Sequence, residues 1–175
     1  WSTGPNPEMT LPIGSLGDFS LVTALTPEEL EQARRLFQEY ADSVGVDLCF
    51  QNFADEVNGL PGEYAEPYGA LLLAKQGDDL AGCCALRPLD TADYSNAAEM
   101  KRLYVRPAYR GMGTGRLLAE SILDAARIAG YGCVLLDTLD DMEAARALYE
   151  ELGFTDVPPF YYNPIPGAHY LKVDL

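Results

Sequence analysis

The sequence predicts an α/β protein built on a mixed sheet, and three stretches carry that expectation. Tyr68–Ala74 and Leu80–Arg87 are apolar, strand-forming runs around Gln76-Gly77-Asp78-Asp79, the composition of a hairpin turn. Glu99–Leu118 reads as a strand, a glycine-rich turn and the opening of a helix. Cys133–Thr138 is a nearly unbroken apolar run, the pattern of a parallel strand covered on both faces. Strand, helix and strand in that order make a βαβ unit. Its crossover is right-handed, because a right-twisted strand packs the following helix back onto the sheet only that way.

The other elements follow in chain order. Residues 1–19 are rich in Gly, Pro, Ser and Thr without hydrophobic periodicity, and are expected to be a flexible tail before one domain over 20–175. Ser20–Leu25 is a short strand. Thr26-Pro27-Glu28-Glu29 has the signals of a helix start: a Thr N-cap, Pro in the first turn and Glu three residues after the cap. Leu30, Ala33, Leu36, Phe37 and Tyr40 then fall on one face. Asp47 is placed to cap a second helix with apolar Leu48, Phe50, Phe53, Val57 and Leu60, ended by Pro61-Gly62. Pro88–Asn96 reads as a loop leading into the central strand.

In that central strand, alternation puts Glu99, Lys101, Leu103 and Val105 on one face and Tyr104 on the other. Pro107 has no N–H to donate and stops the ladder. Arg116–Arg127 is a helix former with apolar Leu117, Leu118, Ile122 and Leu123. Asp141 is expected to cap the next helix, with Ala144, Ala145, Leu148 and Leu152 toward the core and Gly153 at its end. Phe154–Val157 and Tyr170–Val173 are the last strands, joined by a stiff loop of prolines and aromatics, Pro158–Gly167. No internal repeat interrupts this order.

Composition narrows the function. Hydrophobic residues are 48% of the chain, enough for a sizeable core, and no apolar run approaches the length of a membrane span. With neither an Arg-rich leader nor a signal-type apolar segment, the expected location is cytoplasmic. The formal net charge is −15, which opposes non-specific binding to nucleic acid or anionic membranes. It suits a cationic substrate, although acidic surfaces commonly serve solubility. Cys49, Cys83, Cys84 and Cys133 lack metal-ligand spacing and read as reduced thiols in or near the core, so no metal site is expected. His169, the only histidine, is placed on the surface or in packing.

The glycine turn carries the chemistry. Glycines between strand and helix let a ligand approach the backbone, and the first N–H groups of the helix favour an anion. Arg110 and Arg116 add positive charge, which suits a pyrophosphate. A dinucleotide fingerprint needs G-x-G-x-x-G, yet position 116 is Arg. A P-loop needs Gly-Lys-Ser/Thr, and no Lys follows these glycines. The pattern present is Arg-x-x-Gly-x-Gly, Arg110 to Gly115.

This turn, with Ala147-Leu-Tyr149-Glu-Glu-Leu-Gly-Phe154 at the end of the following helix, resembles the GNAT superfamily of N-acetyltransferases over roughly residues 20–175. The resemblance implies a mixed central sheet of about six to seven strands flanked by about four helices, with acetyl-CoA as co-substrate. Arg110, Gly111, Met112, Gly113, Thr114, Gly115 and Arg116 would hold its phosphates. Backbone groups of Leu103, Tyr104 and Val105 would meet its pantetheine arm and the developing oxyanion, if the central strand splays from its neighbour. Tyr149 would protonate the departing sulfur or only cap the pocket beside it. Glu99, eleven residues before Arg110, resembles the catalytic glutamate of the histone-acetyltransferase branch. It is either the base or a structural partner of Lys101 or a nearby arginine.

The aromatics Phe50, Phe53, Tyr64 and Tyr68 either line the acceptor pocket or pack the first helices onto the sheet. One position departs from the pattern: Met142 stands where the family often has an Asn that helps hold the cofactor. The function implied is acetyl transfer to a primary amine by direct attack in a ternary complex, the acceptor being a small amine or an amino-acid-like molecule. Two alternatives stay open: a non-catalytic acyl-CoA sensor, and an interaction module that forms a homodimer through the Phe160–Gly167 loop.

Overall fold

The computed structural model describes residues 19–45, 48, 52–91 and 93–175. The expectations for Asp47, Cys49, Phe50 and the tail before Phe19 lie outside these residues. Phe19 itself belongs to the first strand, where it is buried and pairs with Gln76.

The elements run β1 (Phe19–Thr23), α1 (Pro27–Val44), α2 (Phe53–Asn58), β2 (Ala70–Gln76), β3 (Asp79–Leu89), β4 (Ala97–Val105), α3 (Thr114–Ala129), β5 (Cys133–Leu139), α4 (Glu143–Glu151), β6 (Thr155–Asp156) and β7 (Ala168–Asp174). They form a seven-stranded mixed sheet in the order β1-β2-β3-β4-β5-β7-β6. Only β4 and β5 pair in parallel, through the α3 crossover. The expected fold class is the observed one.

Helix α1 starts as its residues require. Thr26 Oγ1 accepts from the Glu29 N–H at 3.2 Å, and Glu29 Oε1 accepts from the Thr26 N–H at 3.0 Å. This reciprocal cap satisfies two donors that the helix cannot. Its Leu36 and Phe37 are wholly buried against Leu71, Leu73, Cys83 and Tyr104 of the sheet. Each such side chain stabilises by about 1.5–3 kcal/mol, which fixes the far end of α1, where Tyr40 sits. Helices α3 and α4 cover the opposite face, with Leu118, Ile122, Tyr149 and Phe154 packed on Leu86, Met100, Val134 and Leu136.

Four details differ from the sequence reading. Helix α2 is one and a half turns, starting after Asn52, whose left-handed φ of 55° breaks the chain ahead of Phe53. Strand β3 continues through Pro88 to Leu89, because β2 begins opposite Leu86 and leaves the rest of β3 paired on one side only. A proline is tolerated on such an edge. Asp141 does not cap α4: Met142 holds that position without a side-chain bond. Ala144 lines the cavity described below and does not face the core.

The fifth difference shapes the site. Arg102 has φ +61°, and the β3–β4 register slips between Cys83 and Ala85. This bulge shifts the alternation by one residue. Ala98 and Met100 face α3, and beyond the bulge Leu103 and Val105 do too, while Tyr104 faces α1. Glu99 and Lys101 therefore lie on the face opposite Leu103 and Val105. Bulges strengthen local twist, and β4 parts from β5 just there. The two strands pair at Ala97↔Cys133, Ala98↔Val134 and Glu99↔Leu135 and no further.

Candidate active site

The chain leaves β4 through a 3-10 turn at Pro107–Tyr109 and reaches α3 through Gly111 and Gly113, at φ 78° and 81°. Left-handed backbone suits glycine there. Gly113 is the N-cap and provides no side-chain bond, so the first N–H groups of α3 point outward as a site for an anion. Arg110 Nε donates to the Val105 carbonyl at 2.9 Å, tying the turn back to the end of β4. The Thr114 hydroxyl is buried at the first position of α3 and makes no hydrogen bond among the described residues.

A cavity of about 440 Å³ opens over this turn. Leu103, Tyr104, Val105, Arg110, Gly111, Gly113, Thr114 and Gly115 line it, together with Tyr40, Ser43 and Val44 of α1 and the start of α4. Met112 and Arg116 are not in its wall. Met112 is exposed, and Arg116 pairs with Glu120 at 3.1 Å and with Glu151. The reason is helical geometry: Glu120 is four residues on, so Arg116 lies on its face of α3. Arg110 brings positive charge to the α3 side, whereas Asp141 and Glu143 border the α4 side.

A smaller chamber, about 40 Å³, adjoins the first and shares Tyr40, Leu103, Met142 and Ala145 with it. It sits where β4 and β5 separate, and its wall draws on both faces of the sheet. Met100 and Tyr149 come from the α3–α4 core, Tyr40 and Arg102 from the α1–α2 side. Burial pushes the Tyr149 phenol well above its usual range, and the Tyr40 phenol also rises for the same reason. Both keep their protons at neutral pH. Met142 Sδ accepts from the Thr138 hydroxyl at 3.5 Å, so the thioether at the atypical position is tied to β5.

Glu99 lines neither cavity. It is buried, and its Oε1 accepts from Arg87 Nε at 2.9 Å, with Arg87 Nη2 at 2.8 Å. Arg87 also reaches Glu63 at 3.0 Å. Of the two readings open for Glu99, the geometry supplies the structural partner.

Residues 28–154 match the model of the acetyltransferase (GNAT) family. The chain belongs to this family. An N-acetyltransferase of Schizosaccharomyces pombe is 37% identical over 159 residues, covering 90% of this chain and 96% of that protein. An acetyltransferase from Streptococcus agalactiae 2603 shares the fold at a TM-score of 0.73 and 19% identity, over 90% of this chain and 99% of that one. A Salmonella typhimurium protein solved with its cofactor acetyl-CoA aligns at a TM-score of 0.63 and 18% identity, over 90% and 94%. This GNAT protein is therefore an N-acetyltransferase by family, with acetyl-CoA as the acyl donor.

Sequence reasoning missed Tyr40, Arg102 and Asp137, all lining the chamber. Asp137 had a visible signal as the polar break in the apolar run of β5, twelve residues before Tyr149. Tyr40 was legible only as the last member of an apolar helical face. His169 pairs with Asp140 at the start of β7. Cys83, Cys84 and Cys133 are buried free thiols, all pushed up by burial and poorly suited to act as nucleophiles. Among the described residues no cluster has the make-up of a metal site, and no helix is long and apolar enough to cross a membrane.

Proposed function

We propose that this GNAT protein acetylates the primary amine of a small molecule by direct attack in a ternary complex, with Tyr149 as the acid. The observation that carries the reading is the buried Tyr149 phenol, which lines the chamber joining the large cavity to the opposite face of the sheet. In this reading Gly111, Gly113, Thr114, Gly115 and Arg110 hold the pyrophosphate of acetyl-CoA, and the unpartnered Thr114 hydroxyl gains an acceptor. The open edge of β4 beyond Glu99 offers backbone groups of Leu103, Tyr104 and Val105 to the pantetheine arm and the developing oxyanion.

Acetyl-CoA supplies an activated acyl thioester. The amine nitrogen forms the new C–N bond as the C–S bond breaks. The ammonium loses one proton to solvent before attack and a second once the C–N bond has formed. The departing thiolate takes its proton from the Tyr149 phenol, and the second amine proton, passed through water, restores that phenol. A phenol pushed above its usual range is a weaker acid than a thiol with a pKa of about 8.5, so the transfer runs uphill and is completed by the return of an amine proton to the phenol. Among the described residues the cysteines Cys83, Cys84 and Cys133 are buried and unactivated, which supports direct attack over an acetyl-enzyme. Glu99 and Arg87 brace β3 against β4 beneath the site. The net charge of −15 favours a cationic or zwitterionic acceptor.

The test is thiol release from acetyl-CoA across amines, amino acids and aminoglycosides, run beside Tyr149→Phe. Acceptor-dependent release that falls about 10-fold or more in the variant is the expected result. Tight acetyl-CoA binding without release for any acceptor is what a non-catalytic sensor would give.

A further inference from the structure

We propose that Asp137, held by Tyr161 and Asn163 of the loop between β6 and β7, is the docking group for the acceptor's ammonium, so that this site selects a cationic primary amine over a neutral nucleophile. The inference rests on the acetyl-transfer reading above and adds which side chain receives the amine.

Asp137 lines the same small chamber as Tyr149. Along β5, Val134 and Leu136 pack toward α3, while Cys133 and Leu135 pack on the other face. Strand alternation places Asp137 with Leu135, across the sheet from the helix that carries Tyr149. A carboxylate and a phenol thus border one small space from opposite faces, the arrangement needed for an amine and a leaving thiolate on opposite sides of one carbonyl.

The carboxylate is fixed by its neighbours. Tyr161 Oη donates to Asp137 Oδ2 at 2.6 Å, and Asn163 Nδ2 approaches the same oxygen at 3.5 Å and Tyr161 Oη at 3.4 Å. Asn163 is itself set by the Ile165 N–H donating to its Oδ1 at 2.9 Å. The Tyr161 ring is wedged in an aromatic trio with Phe160 and Tyr170, ring centroids 5.4 to 5.7 Å apart. Both donors stand on Oδ2. Donors on one oxygen fix the orientation of the carboxylate in the chamber wall. A chamber of about 40 Å³ takes an ammonium and little more, so the rest of the acceptor extends outward. Lys101 also borders this space.

The experiment uses the whole protein loaded with CoA and calorimetric titration with tyramine, 1,4-diaminobutane and alaninamide, each beside the analogue in which hydroxyl replaces the amine. The expected result is that at least one amine binds about 10-fold or more tightly than its alcohol, the scale of one charge-assisted hydrogen bond. Asp137→Asn erases that preference, and Tyr161→Phe and Asn163→Ala weaken amine binding and raise the acceptor KM more than they lower kcat. All three variants keep wild-type acetyl-CoA affinity, which also reports that they fold. Equal binding of amine and alcohol, no amine binding at all, or a preference that survives Asp137→Asn overturns the proposal. A Tm loss in Asp137→Asn with amine preference intact would make Asp137 only a counterion of Lys101. Wild-type protein that fails to bind acetyl-CoA would instead sink the acetyl-transfer reading.

Discussion

Arg102 grips Glu56 with two hydrogen bonds, Nε to Oε2 at 2.9 Å and Nη2 to Oε1 at 3.0 Å, joining the bulge of β4 to α2. Its guanidinium also lies 5.0 Å from the Phe53 ring centroid and 5.6 Å from that of Tyr40. A left-handed backbone is costly for a residue with a side chain, and this buried clamp stabilises it. The same contacts draw the α1–α2 wall against the strand that borders the chamber.

That pair sets an acid limit to stability. Burial raises the Glu56 carboxyl, but hydrogen bonds and charge from Arg102 outweigh it and hold the group below its ordinary value of 4.5. A lowered folded value means the stabilisation is complete above the unfolded value and is lost as pH falls through the folded one. Glu56→Gln is expected to destabilise by about 3 kcal/mol at pH 7, since it leaves Arg102 buried without its anion. Its stability should then fall less steeply than wild type below about pH 4.5. Urea unfolding across pH 2.5–7 checks both slopes, and parallel curves would show that the pair does not set the limit.

Gly82 permits close contact between β3 and the last residues of β4. A Cβ there would lie 2.4 Å from the Tyr104 carbonyl oxygen and 3.2 Å from Val105 Cα. Backbone cannot yield as a flexible side chain would. Gly82→Ala should cost about 1–3 kcal/mol, a Tm drop of roughly 3–10 °C for a chain this size. Acetyl-CoA affinity should fall with it, because Tyr104 and Val105 line the large cavity. Calorimetry and thermal melts read the two effects.

Thr114 offers the opposite trade. Its buried hydroxyl has no partner among the described residues, so Thr114→Val removes an unsatisfied group at nearly constant shape. The variant should melt at or above the wild-type Tm while binding acetyl-CoA about 10-fold more weakly, the loss expected for one hydrogen bond to a charged phosphate. Unchanged affinity would take Thr114 out of the phosphate site.

Glu99→Gln separates brace from base. The brace reading expects a loss of about 2 kcal/mol from the Arg87 contact, with acceptor-dependent turnover per folded molecule kept within about 3-fold. A fall of 100-fold or more, the range for a general base, would return Glu99 to the catalytic role its sequence position suggests.

Signals local in the chain were legible. The capping box at Thr26–Glu29, the Arg110–Gly115 turn and the Tyr149 segment each depend on residues a few positions apart, where spacing alone sets geometry. Eight of the ten residues expected around the cofactor line the large cavity for that reason. The apolar run of β5 likewise announced a strand buried on both faces, and the βαβ order brought it beside β4.

What tertiary structure decided lies on β4. Alternation counted from the sequence placed Glu99 with Leu103 and Val105, but the Arg102 bulge turns them to opposite faces. A bulge is held by partners distant in sequence, here Glu56 forty-six residues away, and no local pattern records it. The same is true of Asp137, whose clamp comes from Tyr161 twenty-four residues on, and of Arg116, which Glu151 holds thirty-five residues later. Sequence by itself determined the fold class, the family and the glycine turn between β4 and α3, because periodicity and short-range spacing encode them. Which carboxylate borders the small chamber was decided only when distant strands and loops met, since burial and pairing are properties of the packed chain.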